Sequence, residues 1–265
     1  MFFPLRHRPL IGGLAVLGLT IAQPYLTMAQ SSPSAASVTL RADPPLLAPW
    51  GGPHGGVPAF DKVKVSDFKP ALEAAMAESL AEINAIANNP KPATFDNTIV
   101  AMERSGGTLD RVQAEYGVWK TTLNDKAFGA VETEMAPKMA AFSDQISQNT
   151  ALFKRIEAVY KDPATKKLTP EQQRLVEVRY KGFVRAGAKL DAPAKARLSQ
   201  INQQLAGLFT KFSQNVLADE ADSVLVLRAD KDLGGLPASL RDAAKTAADS
   251  RKLAAAGVIT NTRSS

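Results

Sequence analysis

The stretch from Asp191 to Glu220, DAPAKARLSQINQQLAGLFTKFSQNVLADE, constrains the fold more than any other. Its apolar side chains fall at Leu198, Ile201, Leu205, Leu208, Phe209, Phe212 and Val216. That spacing follows one face of an α-helix. Asp191 is placed to cap the helix and Pro193 to sit in its first turn, where a missing N–H costs little. Lys195, Arg197, Gln200, Gln203, Lys211 and Gln214 mark the opposite face. A helix of this length with one apolar side is expected to bury that side against other helices, so the reading begins from a mostly α fold.

The same period recurs upstream. Ser66 is expected to cap a helix reaching Asn88, with Phe68, Leu72, Met76, Leu80, Ile83 and Ile86 inward and Asn89-Pro90 as the stop. A second helix is predicted from Thr94 or Asp96 to about Asp125, its inner face Phe95, Ile99, Met102, Leu109, Val112, Tyr116, Trp119 and Leu123. Gly106-Gly107 inside it marks a kink or a turn between two shorter helices. A third region, from Ala127 to Tyr160, carries Met135, Met139, Phe142, Ile146, Leu152, Phe153, Ile156 and Val159, with Pro137 as a bend or new first turn and Asn149-Thr150 as a further break. Its methionines stand at helical spacing and read as core filler rather than soft metal ligands. Thr169-Pro170 opens a fourth helix ending near Ala186.

After the organising helix the period changes. Ser223 to Leu227 and Gly257 to Thr262 read as two short strands, with a small Ala-rich helix opening at Leu236-Pro237 between them. The predicted fold class is therefore mostly α: long antiparallel amphipathic helices with two short β-strands near the C-terminus. A two-stranded sheet is marginal by itself, and the expectation is a chain that stops short of a larger architecture.

The N-terminus reads as an address. Arg6 and Arg8 precede the apolar run Leu10 to Ala22, and Thr27-Met28-Ala29 offers small residues for cleavage after Ala29. The expected organisation is a signal peptide over 1–29, a disordered Ser/Ala-rich linker over 30–45, and a helical region over 46–265, in a periplasmic or secreted protein. Pro and Gly between Asp43 and Ala59 exclude regular structure there, while Leu46, Leu47 and Trp50 are expected to drape over the core.

Composition narrows the chemistry. The chain has no cysteine and two histidines, His7 and His54, the first inside the expected signal peptide. Thiolate nucleophiles and Cys-based zinc sites are excluded. Neither histidine begins a His-Glu-x-x-His helix, no serine lies in a G-x-S-x-G elbow, and the glycines around His54 lack the strand–turn–helix frame of a phosphate loop. His54 reads as a surface-loop histidine, and the acids Asp219, Glu220 and Asp222 as a helix C-terminal cluster wanting a cationic partner rather than a calcium or acid/base site. The net charge of +6 is spread over helix faces, without the clustering of a nucleic-acid surface. No catalytic residue and no metal ligand is expected in this sequence.

Several separate words carry a resemblance. Ile201-Asn202, Leu205-Ala206 and Gln214 to Glu220 resemble the N-terminal half of the peptidyl-dipeptidase Dcp and thimet oligopeptidase family of zinc metallopeptidases. Asn97-Thr98-Ile99, Ser105-Gly106 with Leu109 and Arg111-Val112, Glu134 to Lys138, Phe183 to Ala188 and Asp232 to Pro237 agree with it in order. Arg263-Ser264-Ser265 resembles a point well inside the family's chains. The resemblance covers about 44–265. It implies a zinc cofactor, short peptides as substrates, removal of C-terminal dipeptides, and a role for this region as one wall of a deep channel. The family's zinc motif lies in its C-terminal half and matches no position here, so zinc is implied by the family with no ligands in this chain. Two main readings follow: a partial zinc metallopeptidase, inactive alone; or a stand-alone exported helical binding or scaffold protein. A third is a peptide-binding remnant that complements a separately encoded catalytic half. An apolar patch left on the surface would favour the first.

Overall fold

Helix α1, Val65–Ala87, is the spine of the molecule, because its one apolar stripe serves two separate cores. Phe68, Leu72 and Met76 in its first half join Leu46, Leu109, Val112, Tyr116, Phe128 and Met135. Ile83, Ile86 and Ala87 in its last turns join Ile99, Leu152, Ile156, Val159, Val176 and Phe183. The structure is a computed structural model that describes residues 44–53 and 56–261. The expected signal peptide over 1–29, the linker up to residue 43, His54 and Arg263 to Ser265 lie outside the described residues.

The chain runs from α1 through a π-helical turn, Phe95–Val100, into the short α2, Ala101–Arg104, then α3, Gly107–Thr122, α4, Lys126–Ser147, α5, Thr150–Lys161, α6, Pro170–Arg185, and α7, Ala192–Asp222. Strand β1, Val224–Leu227, helix α8, Ala238–Ser250, and strand β2, Gly257–Thr260, complete it. The strands pair antiparallel, with Val224 opposite Thr260 and Leu227 opposite Gly257. Strand β2 packs on α8, where Ala244 and Ala248 are buried with Val258. The mostly α class holds, with a single two-stranded sheet near the C-terminus.

Local chemistry explains most boundaries. Thr169 caps α6 through a reciprocal box: its Oγ1 accepts from the N–H of Gln172, and Gln172 Oε1 accepts from the N–H of Thr169. Asp125 and Asp191 accept at the starts of α4 and α7. The start of α1 differs from expectation. The cap is made by Asp67 reaching back to the N–H of Lys64 at 2.9 Å, and Ser66 lies inside the helix.

Gly106 resolves the ambiguity inside the second predicted helix as a turn. Its φ of 83° is left-handed, and its N–H donates to Glu82 Oε2 at 2.7 Å. An L-residue resists that backbone geometry. The break at Asn149 also stands, since its side chain caps α5. Pro137 does not open a new first turn; α4 runs through it without interruption. Leu123, expected inward, is exposed.

The largest departure concerns α7. The helix occupies the predicted span, yet most of its apolar face is uncovered: Leu208 is 62%, Phe209 68% and Phe212 68% exposed, with Leu205, Val216 and Leu217 also exposed, while Leu198 and Ile201 are half-buried. It meets α4 through a different row that holds Asn202 and Gln214, with the half-buried Ala206 and the buried Thr210 at the same four-residue spacing between them. Small and polar side chains suit the surface that α4 offers there. Asn202 Nδ2 donates to Asp144 Oδ1 at 2.7 Å, and Gln214 Nε2 donates to the carbonyl of Gly129 at 2.8 Å. Lys195 Nζ donates to the carbonyl of Gln148 at 3.0 Å. The phenylalanines would satisfy none of these groups, so they point elsewhere.

Candidate functional site

The row that anchors α7 leaves a cleft beside it. The last turn of α3 and the first half of α4 form one side, and the C-terminal half of α7 the other. Lys120, Asn124, Glu132, Phe212, Val216 and Leu217 line a volume of about 630 Å³, with Glu220 at its edge.

Glu132 sits on α4 four residues after Phe128 and three before Met135, so helical geometry turns it inward. Its side chain is 4% exposed. Asn124 Nδ2 donates to one carboxylate oxygen at 2.8 Å, and Lys120 Nζ pairs with the other at 3.2 Å. Burial, and secondarily the negative charge of Glu132, push the Tyr116 hydroxyl above the usual phenol range. The cleft thus has a neutralised ion pair inside it and an aromatic-aliphatic flank on α7. Glu220 makes no ion pair among the described residues. Such a lining holds an apolar side chain, or an aliphatic stem ending in a cation.

Asp219 and Glu220 of the acidic cluster read from sequence have separate surroundings. Asp219 accepts from Ser223 Oγ at 2.7 Å and from Asn261 Nδ2 at 3.2 Å, tying α7 to the end of β2. Glu220 borders the cleft, and Asp222 closes the helix. Among the described residues, two neutral donors rather than the expected cationic partner hold Asp219. Among the described residues no three His, Cys, Asp or Glu side chains stand close enough together to hold a metal ion. The described residues therefore do not fit a zinc ion. Met135 is fully buried against the first core, and Met139 packs at its border, as core filler.

Two buried acids escaped the sequence reading although the signal was present. Glu115 interrupts the inward row of α3 at Val112 and Tyr116, and Glu132 interrupts that of α4. An acid at an inward helical position needs a partner, and both have one.

No family model matches the chain. Individual proteins do. Dipeptidyl carboxypeptidase of Salmonella typhimurium is 34% identical over 191 residues, which are 72% of this chain and 28% of that protein. Dipeptidyl carboxypeptidase of Escherichia coli is 34% identical over 188 residues, 71% of this chain and 27% of that protein. The chain belongs to the dipeptidyl carboxypeptidase and oligopeptidase A family. Organellar oligopeptidase A, chloroplastic/mitochondrial, of Arabidopsis thaliana extends the relationship at 26% identity over 185 residues, 69% of this chain and 23% of that protein. The chain spans little more than a quarter of the length of the dipeptidyl carboxypeptidases it matches.

The cleft and the exposed apolar residues of α7 adjoin: Phe212, Val216 and Leu217 belong to both.

Proposed function

We propose that this chain forms part of the substrate-access wall of an exported zinc peptidase of the peptidyl-dipeptidase type, which removes C-terminal dipeptides from short peptides. The metal and its ligands belong to polypeptide outside these 265 residues, in the same chain or a separate one. The observation that carries the reading is the bare apolar face of α7 in a chain related to dipeptidyl carboxypeptidases over 72% of its length. Isolated soluble proteins seldom leave a contiguous row of large apolar side chains in water without a surface to meet it. In the assembled peptidase, that surface is the remainder of the enzyme. Export follows from the sequence of residues 1–29, with cleavage after Ala29, and N-terminal sequencing of the secreted product checks it.

A peptidase assay tests the main reading. The purified chain, with and without added zinc, is expected to release no dipeptide from short peptides, because its one histidine after Ala29 is His54. Mixing it with a metal-binding polypeptide encoded beside it is expected to restore cleavage. Zinc-dependent release of dipeptides by the chain alone overturns the reading. The two closed cores favour a second function, an exported helical binding protein that uses α7 as its contact surface. That function predicts stable folding and no gain of activity on mixing.

A further inference from the structure

The positive charge was expected over helix faces generally, and the structure gathers it on one helical hairpin. Residues 150–197 hold α5, the 3₁₀ turn Pro163–Lys167, α6 and the start of α7. They carry twelve Lys and Arg against five Asp and Glu, more than the whole net charge of +6. Helices α5 and α6 pack together, with Tyr160 stacked on Tyr180 at 4.0 Å. The exposed row of α5 is Lys154, Ala158 and Lys161; that of α6 is Arg174, Val178, Lys181 and Arg185. Each row follows one helix face and lies opposite the side chains its helix gives to the second core. Lys166 and Lys167 are exposed on the turn that joins the two helices. The acids of the hairpin do not cancel this charge. Glu157 is shared by Lys161 and Lys189, and Glu177 by Arg174 and Lys181, so each carboxylate meets two cations. Asp162 caps the 3₁₀ turn through the N–H of Ala164, and Glu171 sits in the first turn of α6, where the helix dipole favours it. Lys154, Lys166, Lys167 and Arg185 make no ion pair among the described residues.

We propose that the outer surface of the α5–α6 hairpin docks reversibly, with no helix inserted, on bilayers rich in anionic phospholipid headgroups. Three of the four unpaired cations are lysines, compact point charges on flexible stems, which suit a diffuse sheet of negative charge. Recognition of single carboxylates on an acidic polypeptide favours the planar fork of Arg instead. Exposed Tyr160 and Val178 stand among the cations. An aromatic ring and an aliphatic side chain gain by entering the headgroup layer, whereas a nucleic-acid backbone gives them nothing apolar to meet. No single contact is strong. Each cation close to such a surface adds about fivefold in affinity, the gains multiply, and salt screens them all. The hairpin lies outside the cleft and outside the apolar face of α7, so the inference stands or falls apart from the peptidase reading.

Co-sedimentation of the purified chain with large vesicles tests the proposal. In low salt the chain is expected to pellet with vesicles of equal parts phosphatidylglycerol and phosphatidylcholine, and to ignore vesicles of phosphatidylcholine alone. At about 0.5 M salt, where the Debye length falls to about 4 Å, binding should weaken by about tenfold or more. Lys166→Gln with Lys167→Gln should weaken it by about twentyfold. Lys126→Gln with Lys211→Gln, on α4 and α7, changes the net charge equally and should weaken it by about twofold or less, because those cations lie away from the docked surface. The chain has no native cysteine, so a polarity-sensitive dye on Val178→Cys reports contact. Its emission should shift to the blue on the anionic vesicles, while the same dye on Thr122→Cys, at the end of α3, stays unchanged. No binding to anionic vesicles, equal binding to neutral ones, equal loss in the two double variants, or a shift at Thr122 without one at Val178 overturns the proposal. Loss of binding in Phe209→Ser also overturns it, by assigning the membrane contact to the apolar side of α7. Tighter capture of poly-glutamate or of double-stranded DNA than of the vesicles at equal salt gives the hairpin another class of partner and overturns it as well. Every substituted side chain is exposed, and circular dichroism verifies the fold of each variant.

Discussion

The indole N–H of Trp50 donates a 3.0 Å hydrogen bond to Oε1 of Glu115, a carboxylate inside the first core. The bond fastens the Pro-rich N-terminal segment to α3, beside the fully buried Leu46 and a bond from Arg111 to the carbonyl of Leu47. Glu115 Oε2 has no partner, so the carboxylate depends on Trp50. Burial holds its pKa above the usual carboxylate range, and the Trp50 bond only partly offsets this.

That relationship gives a pH-dependent prediction. Trp50→Phe removes the donor and leaves a buried charge with less compensation, at a cost of about 1–3 kcal/mol at neutral pH. Because the folded-state pKa of Glu115 is raised, its ionised form opposes folding, and it does so above that pKa. Losing Trp50 raises the pKa further. The destabilisation should therefore be full at neutral pH and shrink as Glu115 takes up a proton on the way down to the ordinary value of 4.5. Urea titrations of both proteins at several pH values check the sign. A deficit that grows in acid would refute it.

Arg155 on α5 gives a second prediction. It is buried, and its Nη1 donates to the carbonyls of Asn89 and Lys91 at 2.8 and 2.9 Å, while Nη2 donates to Asn97 Oδ1 at 2.8 Å. One planar fork thus holds the loop after α1 and the start of the π-helical turn. Arg155→Leu should cost about 3 kcal/mol. Arg155→Lys should recover little of it, since an ammonium does not reproduce the fork. Chemical denaturation measures both.

The anchoring of α7 predicts a reversal of the usual ranking of apolar and polar residues. Asn202→Leu strips Asp144, itself buried, of its 2.7 Å donor and should destabilise by about 1–3 kcal/mol. Phe212→Ser, on the exposed side, should change monomer stability by less than about 0.5 kcal/mol. Thermal unfolding of the two variants compares them.

Gly187 predicts a steric cost. Its φ is 91°, and a Cβ added there would lie 2.7 Å from Leu198 Cδ2 and 2.9 Å from Leu190 Cδ1. It ends α6 with the N–H of Ala188 returning to the carbonyl of Phe183, which is the geometry of a left-handed helix stop. Gly187→Ala should lower stability by about 1 kcal/mol or more, through strain and crowding together. Guanidinium titration reads the shift in midpoint at unchanged slope.

Much of this was legible in the sequence. The apolar period of α1, the caps at Thr169 and Asp191, the break at Asn149 and the pair of strands are local matters, settled by side chains a few residues apart. The choice at Gly106 was less local. A turn was favoured over a kink once Glu82, on a neighbouring helix, stood ready to accept its N–H. The site was less legible still. Glu115 and Glu132 showed as acids at inward positions, but their partners Trp50 and Lys120 lie on other elements.

The sequence by itself determined that α7 is a helix, where it starts and stops, which side of it is apolar, and which peptidases it resembles. Only the tertiary structure decided which side meets the protein. A period of 3.6 specifies where the apolar side chains point relative to one another. It says nothing of whether a neighbouring element has an apolar surface to receive them. Here α4 offers Asp144 and the carbonyls of Gly129 and Gln148. Buried polar groups must be met by polar groups, so α7 turned its polar row inward and left its phenylalanines in water.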